Sequence, residues 1–153
     1  EGLQNQSKCW YEYKQVNKTI DYENECIVYP NVSLGNNFTI SAGGVIDMTA
    51  FIIKSNSRYL LAILNSKLIA FLMEIWCIGR RGGYLEYKVQ YVEKIPIKNI
   101  SLNEQTPFIE LVEKIIALKK QGKDSSEAET QIDHLVYQLY NLTPEEIKIV
   151  EGK

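Results

Sequence analysis

The sequence has 153 residues, an apolar content of 45% and a net charge of −2, which is typical of one globular domain with a hydrophobic core. The charge is unevenly distributed. Residues 54–98 contain eight Lys/Arg and three acids, whereas residues 99–153 contain six Lys/Arg and ten acids. The total excludes a uniformly basic surface, but the middle of the chain can carry a basic patch or simply an uneven, solvated surface.

Three cysteines, Cys9, Cys26 and Cys77, lie far apart without a CxxC pair. This usage is typical of a reducing compartment and provides neither a disulfide framework nor a zinc site. The sequence opens on Glu1 without a Met or a signal peptide, so we expect a fragment of a longer protein. A secreted glycoprotein stays open as an alternative because five N-x-S/T sequons occur, at Asn17, Asn31, Asn37, Asn99 and Asn141.

Short strands dominate the first third of the chain. Residues 1–25 are polar with interspersed aromatic side chains and predict an irregular arm. The apolar run 26–29 predicts a strand that stops at Pro30, and the turn-forming residues 31–37 follow it. Three further short strands are predicted where apolar runs are separated by glycines or by Asp47, at residues 38–40, 42–46 and 49–54.

Residues 59–76 predict one largely buried amphipathic helix, because apolar residues recur every three or four positions. Asn65, Ser66 and Lys67 interrupt its middle, which argues against a membrane span. Gly79 is expected to end this helix. The basic loop RRGGYLEYK follows at residues 80–88, and residues 91–97 alternate like a strand that stops at Pro96.

The last third predicts helices. Thr106 and Pro107 are expected to start the first, which Gly122 ends. Ser126 is expected to cap a second helix over residues 126–140. Thr143 with Glu146 is expected to form a capping box for a shorter third helix, with Pro144 in its first turn. The pattern predicts an α/β (α+β) fold with a small mixed sheet, a buried central helix and a C-terminal helical hairpin. We expect a recognition domain at residues 1–98 and a helical tail at residues 99–153 that packs on it.

The candidate binding site combines cationic, aromatic and amide side chains. Arginine makes planar, bidentate contacts with phosphate or guanine, aromatic side chains such as Tyr87 can pack on sugars or bases, and amides can read adenine edges. Each residue also has an ordinary structural explanation, as a solvated cation or a packed ring. The residues predicted to bind DNA are Arg80, Arg81, Tyr84, Lys88, Asn36, Asn37, Tyr11 and Lys14.

Two alternatives belong to other functional classes. Asp47, Glu86 and Lys88 could form a Mg²⁺-dependent nuclease site, since a carboxylate pair plus lysine can hold the metal and activate water. A pure protein-interaction module is the second alternative, suggested by the helical tail. The sequence contains no Walker loop, no GxGxxG between a strand and a helix, and one histidine, His134, so other catalytic classes have no candidate.

The order of these segments resembles a known module. The run YLLAILNSKLIAFL, a Gly-containing loop, the segment KIPI, and the helices QTPFIELVEKIIALKK and IDHLVYQLYNLTPEEIKIVE are similar to the TaqI-like C-terminal specificity domain. That domain occurs in type II restriction–modification enzymes and adenine-specific DNA methyltransferases. The upstream CWYEY and CIVYP segments resemble its arm and its strand, so the resemblance covers roughly residues 9–151.

The resemblance implies a domain that recognises double-stranded DNA while a catalytic methyltransferase domain of the same polypeptide transfers the methyl group. It implies no cofactor in this fragment; S-adenosylmethionine and, where an endonuclease is fused, Mg²⁺ are expected in the absent domains. No N-P-P-Y-type catalytic motif occurs here. A non-catalytic, cytoplasmic, prokaryotic protein with no membrane partner is therefore expected.

Overall fold

The computed structural model describes residues 24–42 and 49–152. Three antiparallel strands form the first sheet in the order β3-β1-β4, with β1 at Cys26–Pro30, β3 at Thr39–Ser41 and β4 at Ala50–Ile53. Ile27 of β1 lies opposite Ile40 and Ile53. The strands predicted at 26–29, 38–40 and 49–54 are therefore found. Most of the one predicted at 42–46 lies outside the described residues.

The strand was predicted to stop before Pro30, but Pro30 is the last paired residue of β1. It lies opposite Ala50, and the N–H of Asn31 donates to the Thr49 carbonyl at 2.8 Å. Because the neighbouring Asn31 N–H continues the pairing, the missing N–H of proline is tolerated there.

A two-stranded ribbon joins the segment predicted as a turn, residues 31–37, to the segment predicted as a basic loop, residues 80–88. Strand β2, Val32–Ser33, pairs antiparallel with β5, Leu85–Glu86. Each strand has two residues, too short for an alternating pattern to show in the sequence. The ribbon brings residues 31–37 beside residues 80–88.

The central helix is two helices, so the prediction of one continuous helix over 59–76 was wrong. Helix α1, Arg58–Leu64, and helix α2, Lys67–Trp76, are bent by 57° at residues 64–67, which we call the helix junction. The Ser66 hydroxyl accepts a hydrogen bond from the Ile69 N–H and donates one to the Ile63 carbonyl. It caps a new helix, as serine does at helix N-termini.

Side chains from distant elements fix the helix junction. Asn65 forms two hydrogen bonds with the main chain of Phe38: its Oδ1 accepts from the Phe38 N–H at 3.1 Å, and its Nδ2 donates to the Phe38 carbonyl at 2.9 Å. The Lys67 N–H, at the start of α2, donates to Asp133 Oδ1 at 2.8 Å. The polar interruption is thus a junction between the sheet, the two helices and the tail.

The strand predicted at 91–97 was also wrong. Residues Val89–Val92 form a short helix, α3, followed by a turn at residues 93–94 and by residues 95–100 without regular secondary structure. Val92 and Ile95 are the buried side chains, at a spacing of three, whereas Glu93 and Lys94 are exposed. Burial therefore follows a helical period rather than the period of two expected for a strand.

Helix α4 spans Leu102–Lys120 and begins earlier than predicted. Ser101 and Glu104 form a reciprocal capping box, which sets the helix start five residues before Thr106. Pro107 lies inside the helix on its exposed side. Water can reach the carbonyl that loses its N–H partner there, so the helix continues through the proline.

The next helix matches its predicted range, and the last begins where predicted. Helix α5 spans Ser126–Tyr140 and helix α6 spans Pro144–Val150. The capping box of α6, Thr143 with Glu146, forms as predicted. The N-cap position of α5 is Ser125 rather than Ser126, whose hydroxyl instead donates to Asp124.

One core joins the sheet to the tail. Helix α1 packs on α4, where the rings of Tyr59 and Phe108 meet edge to face at 5.3 Å, and α4 packs on α5. The buried cluster therefore contains residues of the first sheet, α1, α2, α4 and α5, including Ile27, Ile63, Ile69, Phe108, Val112, Ile132 and Val136. The fold is α+β, as predicted.

Within the described ranges, no helix is by itself long and apolar enough to cross a bilayer. The bent α1–α2 pair meets the length and composition requirement only when both helices are counted together.

Candidate nucleic-acid interface

Residues 79–85 form a tight hairpin that we call the arginine hairpin. Gly79 pairs with Leu85 in an isolated antiparallel bridge, and the Arg80 N–H donates to the Tyr84 carbonyl at 2.6 Å. Gly82 and Gly83 at the tip have φ values of 85° and 82°, a region that side chains with a Cβ rarely adopt. The two glycines therefore make the turn possible, and Arg81 stands beside them at the tip.

The hairpin is attached to the fold through main-chain hydrogen bonds. The Glu86 N–H donates to the Ile78 carbonyl at 3.1 Å, and the Tyr87 N–H donates to the Asn31 carbonyl at 2.8 Å. These bonds join the end of α2 to the β2–β5 ribbon. The hairpin is thus attached to the fold on both arms, and residues 79–84 are exposed.

A buried carboxylate lies at the base of the hairpin. Glu86 is 3% exposed and forms ion pairs with Arg80 Nη2 and, at 2.8 Å, with Lys88 Nζ. Lys88 approaches Oε2 outside hydrogen-bonding geometry, so that oxygen has an ionic partner and no hydrogen bond in the described structure. Both cations are themselves largely solvent-exposed. The cluster has a net charge of +1.

Arg81 and Tyr84 present free side-chain chemistry. Arg81 is exposed and has no hydrogen-bond or ion-pair partner among residues 24–42 and 49–152. Tyr84 is 42% exposed. An unpaired guanidinium beside an exposed ring can contact phosphate, guanine or a stacked base. The structure therefore brings together four of the predicted residues, Arg80, Arg81, Tyr84 and Lys88.

The two asparagines predicted to read adenine are occupied by structural hydrogen bonds. Asn36 Nδ2 donates to the Leu64 carbonyl at 2.7 Å, and Asn36 Oδ1 accepts from the Tyr87 hydroxyl at 2.9 Å. Asn37 Nδ2 donates to the Ser33 hydroxyl at 2.5 Å. Asn36 ties the ribbon loop to the helix junction, whereas Asn37 is exposed and closes its own turn.

Tyr87 belongs to the core and not to the interface, which corrects the expectation that it packs on DNA. It is 1% exposed and meets Phe38 edge to face at 6.1 Å. Burial raises the pKa of its hydroxyl. No alternating pattern signals this burial in the sequence, because the neighbouring residues Glu86 and Tyr87 are both buried.

Two further predicted residues, Tyr11 and Lys14, lie outside the described residues, as does Asp47 of the nuclease alternative. Glu86, the other carboxylate of that alternative, is buried and neutralised by Arg80 and Lys88. A carboxylate held in two ion pairs is a poor ligand for Mg²⁺, which prefers several open oxygen donors. The described part of the chain contains no cluster of three or more His, Cys, Asp or Glu side chains that could hold a metal ion.

A groove of about 910 Å³ lies between β3, α1, α4 and α5 and is a second place where a ligand could bind. Its cations are largely balanced by neighbouring acids: Arg58 pairs with Glu25 and Glu113, and Lys119 pairs with Glu129. Paired cations offer less attraction to a polyanion than free ones. The arginine hairpin is therefore the better candidate for contact with an anionic polymer.

The comparison with family models decides what kind of domain carries this hairpin. The model described as the TaqI-like C-terminal specificity domain matches residues 1–97. The chain belongs to this family. Specificity domains of this family recognise DNA in restriction–modification enzymes, and the arginine hairpin, the ribbon and the helix junction all lie within the matched residues. No curated protein matches the sequence closely enough to count as a relative.

The match ends just before the tail of this specificity domain. Helices α4, α5 and α6 lie beyond residue 97, so the similarity of the tail rests on the sequence motifs alone. Several residues of the motifs that carry the resemblance have structural roles in this chain. Asn65, Ser66 and Lys67 form the helix junction, and the Tyr140 hydroxyl donates to the Pro96 carbonyl at 2.5 Å.

Proposed function

We propose that this specificity domain reads the base sequence of duplex DNA for a type II restriction–modification enzyme or an adenine-N6 DNA methyltransferase. The catalytic domain belongs to the same polypeptide and binds S-adenosylmethionine, with Mg²⁺ needed only where a nuclease is attached. The whole protein works in a prokaryotic cytoplasm. The observation that carries this proposal is Arg81, which is exposed at the tip of a supported hairpin and has no partner in the described part of this family member.

The side chains of the hairpin divide between two kinds of DNA contact. Arginine reads guanine through its O6 and N7 acceptors in the major groove, and Arg81 has the exposure for it. Arg80 and Lys88 lie at the base, where contacts with phosphates would set the orientation. The acidic tail carries a local excess of four negative charges and would face away from the phosphates.

The domain alone forms only one side of the DNA cleft. We therefore expect weak, salt-sensitive binding, with dissociation constants in the non-specific range of roughly 10⁻⁴–10⁻⁶ M at physiological salt. A methyltransferase also flips its target base into the catalytic domain, a step that this chain does not perform in the proposal.

Fluorescence anisotropy with a labelled 20-base-pair duplex tests the proposal over a series of salt concentrations. For the isolated chain, Arg81→Ala should reduce the slope of log K against log salt by about one unit, as expected for one lost phosphate contact. In the intact enzyme on its own recognition site, the same substitution should weaken binding about 5- to 150-fold if the contact is to a base. Lys123→Ala is the matched control, because it removes one exposed positive charge from the tail. Equal behaviour of wild type and Arg81→Ala would remove the hairpin from the interface.

The same protein distinguishes the two other functional classes. Incubation with supercoiled plasmid and Mg²⁺ should give no nicking; nicking that Glu86→Ala abolishes would establish the nuclease. A protein-interaction module would show no salt-dependent DNA binding at any concentration up to the millimolar range.

A further inference from the structure

We propose that Glu86 is a positioning residue that holds the arginine hairpin in one conformation and leaves Arg81 as its free reading side chain. The part of this inference that concerns DNA rests on the proposed function. The part that concerns the conformation of the hairpin does not depend on it.

The location of Glu86 is the first argument. Its side chain is 4% exposed, although glutamate is rarely buried unless it is paired. Glu86 belongs to the closing strand, and its ion pair with Arg80 reaches the opposite arm of the hairpin. Lys88, two residues after Glu86 on the same side, pairs with the other carboxylate oxygen. One carboxylate therefore connects both arms beneath the turn.

The weakness of the tip is the second argument. Gly82 and Gly83 occupy positive φ, and glycine loses more backbone entropy on ordering than any other residue. Above the Gly79–Leu85 bridge, the described main-chain bond across the tip is that from Arg80 N–H to the Tyr84 carbonyl. A two-glycine turn closed in this way opens easily unless side chains add support, and the ion pairs of Glu86 supply it.

The pairing also separates the roles of the two arginines. One end of the Arg80 guanidinium is held by Glu86, so Arg80 cannot swing freely toward a base edge. Arg81 has no such partner among the described residues. Arg80 and Lys88 are thus held at the base, where they are placed for contacts with phosphates. Of the three cations, Arg81 is the one whose side chain can adapt to a base.

Limited trypsin digestion measures this directly, because trypsin cleaves the Arg81–Gly82 bond only when the hairpin opens. In the full 153-residue chain, Glu86→Gln keeps the side-chain volume but loses the charge. We expect cleavage after Arg81 to become about tenfold faster, the effect of losing one hydrogen bond to a charged group. Rates are followed by mass spectrometry and normalised to peptides of residues 77–90 with the same substitution.

Glu93→Gln is the matched control. Glu93 is exposed, lies in the same basic segment and has no ion pair among the described residues. The Glu93→Gln variant should therefore be cleaved after Arg81 at the wild-type rate. Circular dichroism melts identify any variant that unfolds globally. If Glu86→Gln does so, Arg80→Gln breaks the same tie from the surface and should accelerate cleavage equally.

An excess of unlabelled 20-base-pair duplex separates the two proposals. Protection of the Arg81–Gly82 bond in wild type, with less protection in Glu86→Gln, supports both. Faster cleavage in Glu86→Gln without protection by DNA in any variant supports the positioning role and refutes the hairpin as a DNA contact. An unchanged cleavage rate in folded Glu86→Gln and folded Arg80→Gln overturns the inference.

Discussion

Asn65→Ala tests the helix junction as the point that holds the sheet to the helices. The substitution removes the acceptor for the Phe38 N–H and the donor for the Phe38 carbonyl. Phe38 is 5% exposed, so its main-chain groups have little access to water. An unsatisfied buried polar group costs about 1–3 kcal/mol, and because Asn65 is exposed we take the lower end for each group, about 2–3 kcal/mol in total.

Urea denaturation followed by circular dichroism at 222 nm gives the free energy of unfolding. For a chain of this length the loss corresponds to a melting temperature lower by roughly 4–12 °C. Asn56→Ala is the matched control, since Asn56 is exposed near the start of α1 and its side chain has no described hydrogen bond. A loss in Asn65→Ala of less than about 0.5 kcal/mol, the usual range for surface substitutions, would refute the anchoring role.

Three further predictions concern the tail. Burial raises the pKa of the Asp133 carboxyl in the folded protein above its ordinary 3.8, so the wild-type protein loses stability as pH rises through the raised pKa. In paired melts, the stability of Asp133→Asn relative to wild type should therefore increase from pH 3 upward and then level off. A constant difference across pH would contradict this. Ser101→Ala should lower the free energy of unfolding by about 1 kcal/mol through loss of the α4 capping box, measured by urea denaturation, whereas Ser126→Ala should change it less. Truncation after Ile100 removes side chains of the shared core and should abolish cooperative melting, and a soluble truncated chain with an unchanged melt would show the tail to be independent; the lost side chains are Phe108, Val112, Ile132 and Val136.

The sequence predicted most elements because their signals are local. The capping box of Thr143 and Glu146 and the apolar stripe of α5 depend on neighbouring residues alone, and both appear as expected. The start of α4 was missed although its signal is also local: Ser101 and Glu104 have capping-box spacing, and the proline after Thr106 drew the boundary instead.

The errors in the middle of the chain have a different origin. The helix breaks at Asn65, whose hydrogen-bond partner Phe38 lies 27 positions earlier in the sequence. Asp133, which accepts from the Lys67 N–H, lies 66 positions after Lys67. The β2–β5 ribbon likewise depends on a long-range pairing of two-residue strands. No periodicity within one segment carries that information.

The candidate site was partly visible in advance. Adjacent arginines and glycines marked the hairpin, and basic charge concentrated around it. What the sequence could not give was burial: Glu86 and Tyr87 face the interior, and Asn36 is bound to main-chain atoms. Arg81 and Tyr84, in contrast, are exposed because they lie at the tip of the hairpin.

The attachments of the arginine hairpin have a consequence for how such a module changes its target. Apart from Glu86, the bonds that frame the hairpin join main-chain atoms, at Arg80, Tyr84, Ile78 and Asn31. Any residue can supply those atoms, so the side chains at positions 81 and 84 can be exchanged without altering the backbone path. If Arg81 and Tyr84 contact bases as proposed, substitutions at these two positions would change the recognised sequence while the backbone of the hairpin stays the same.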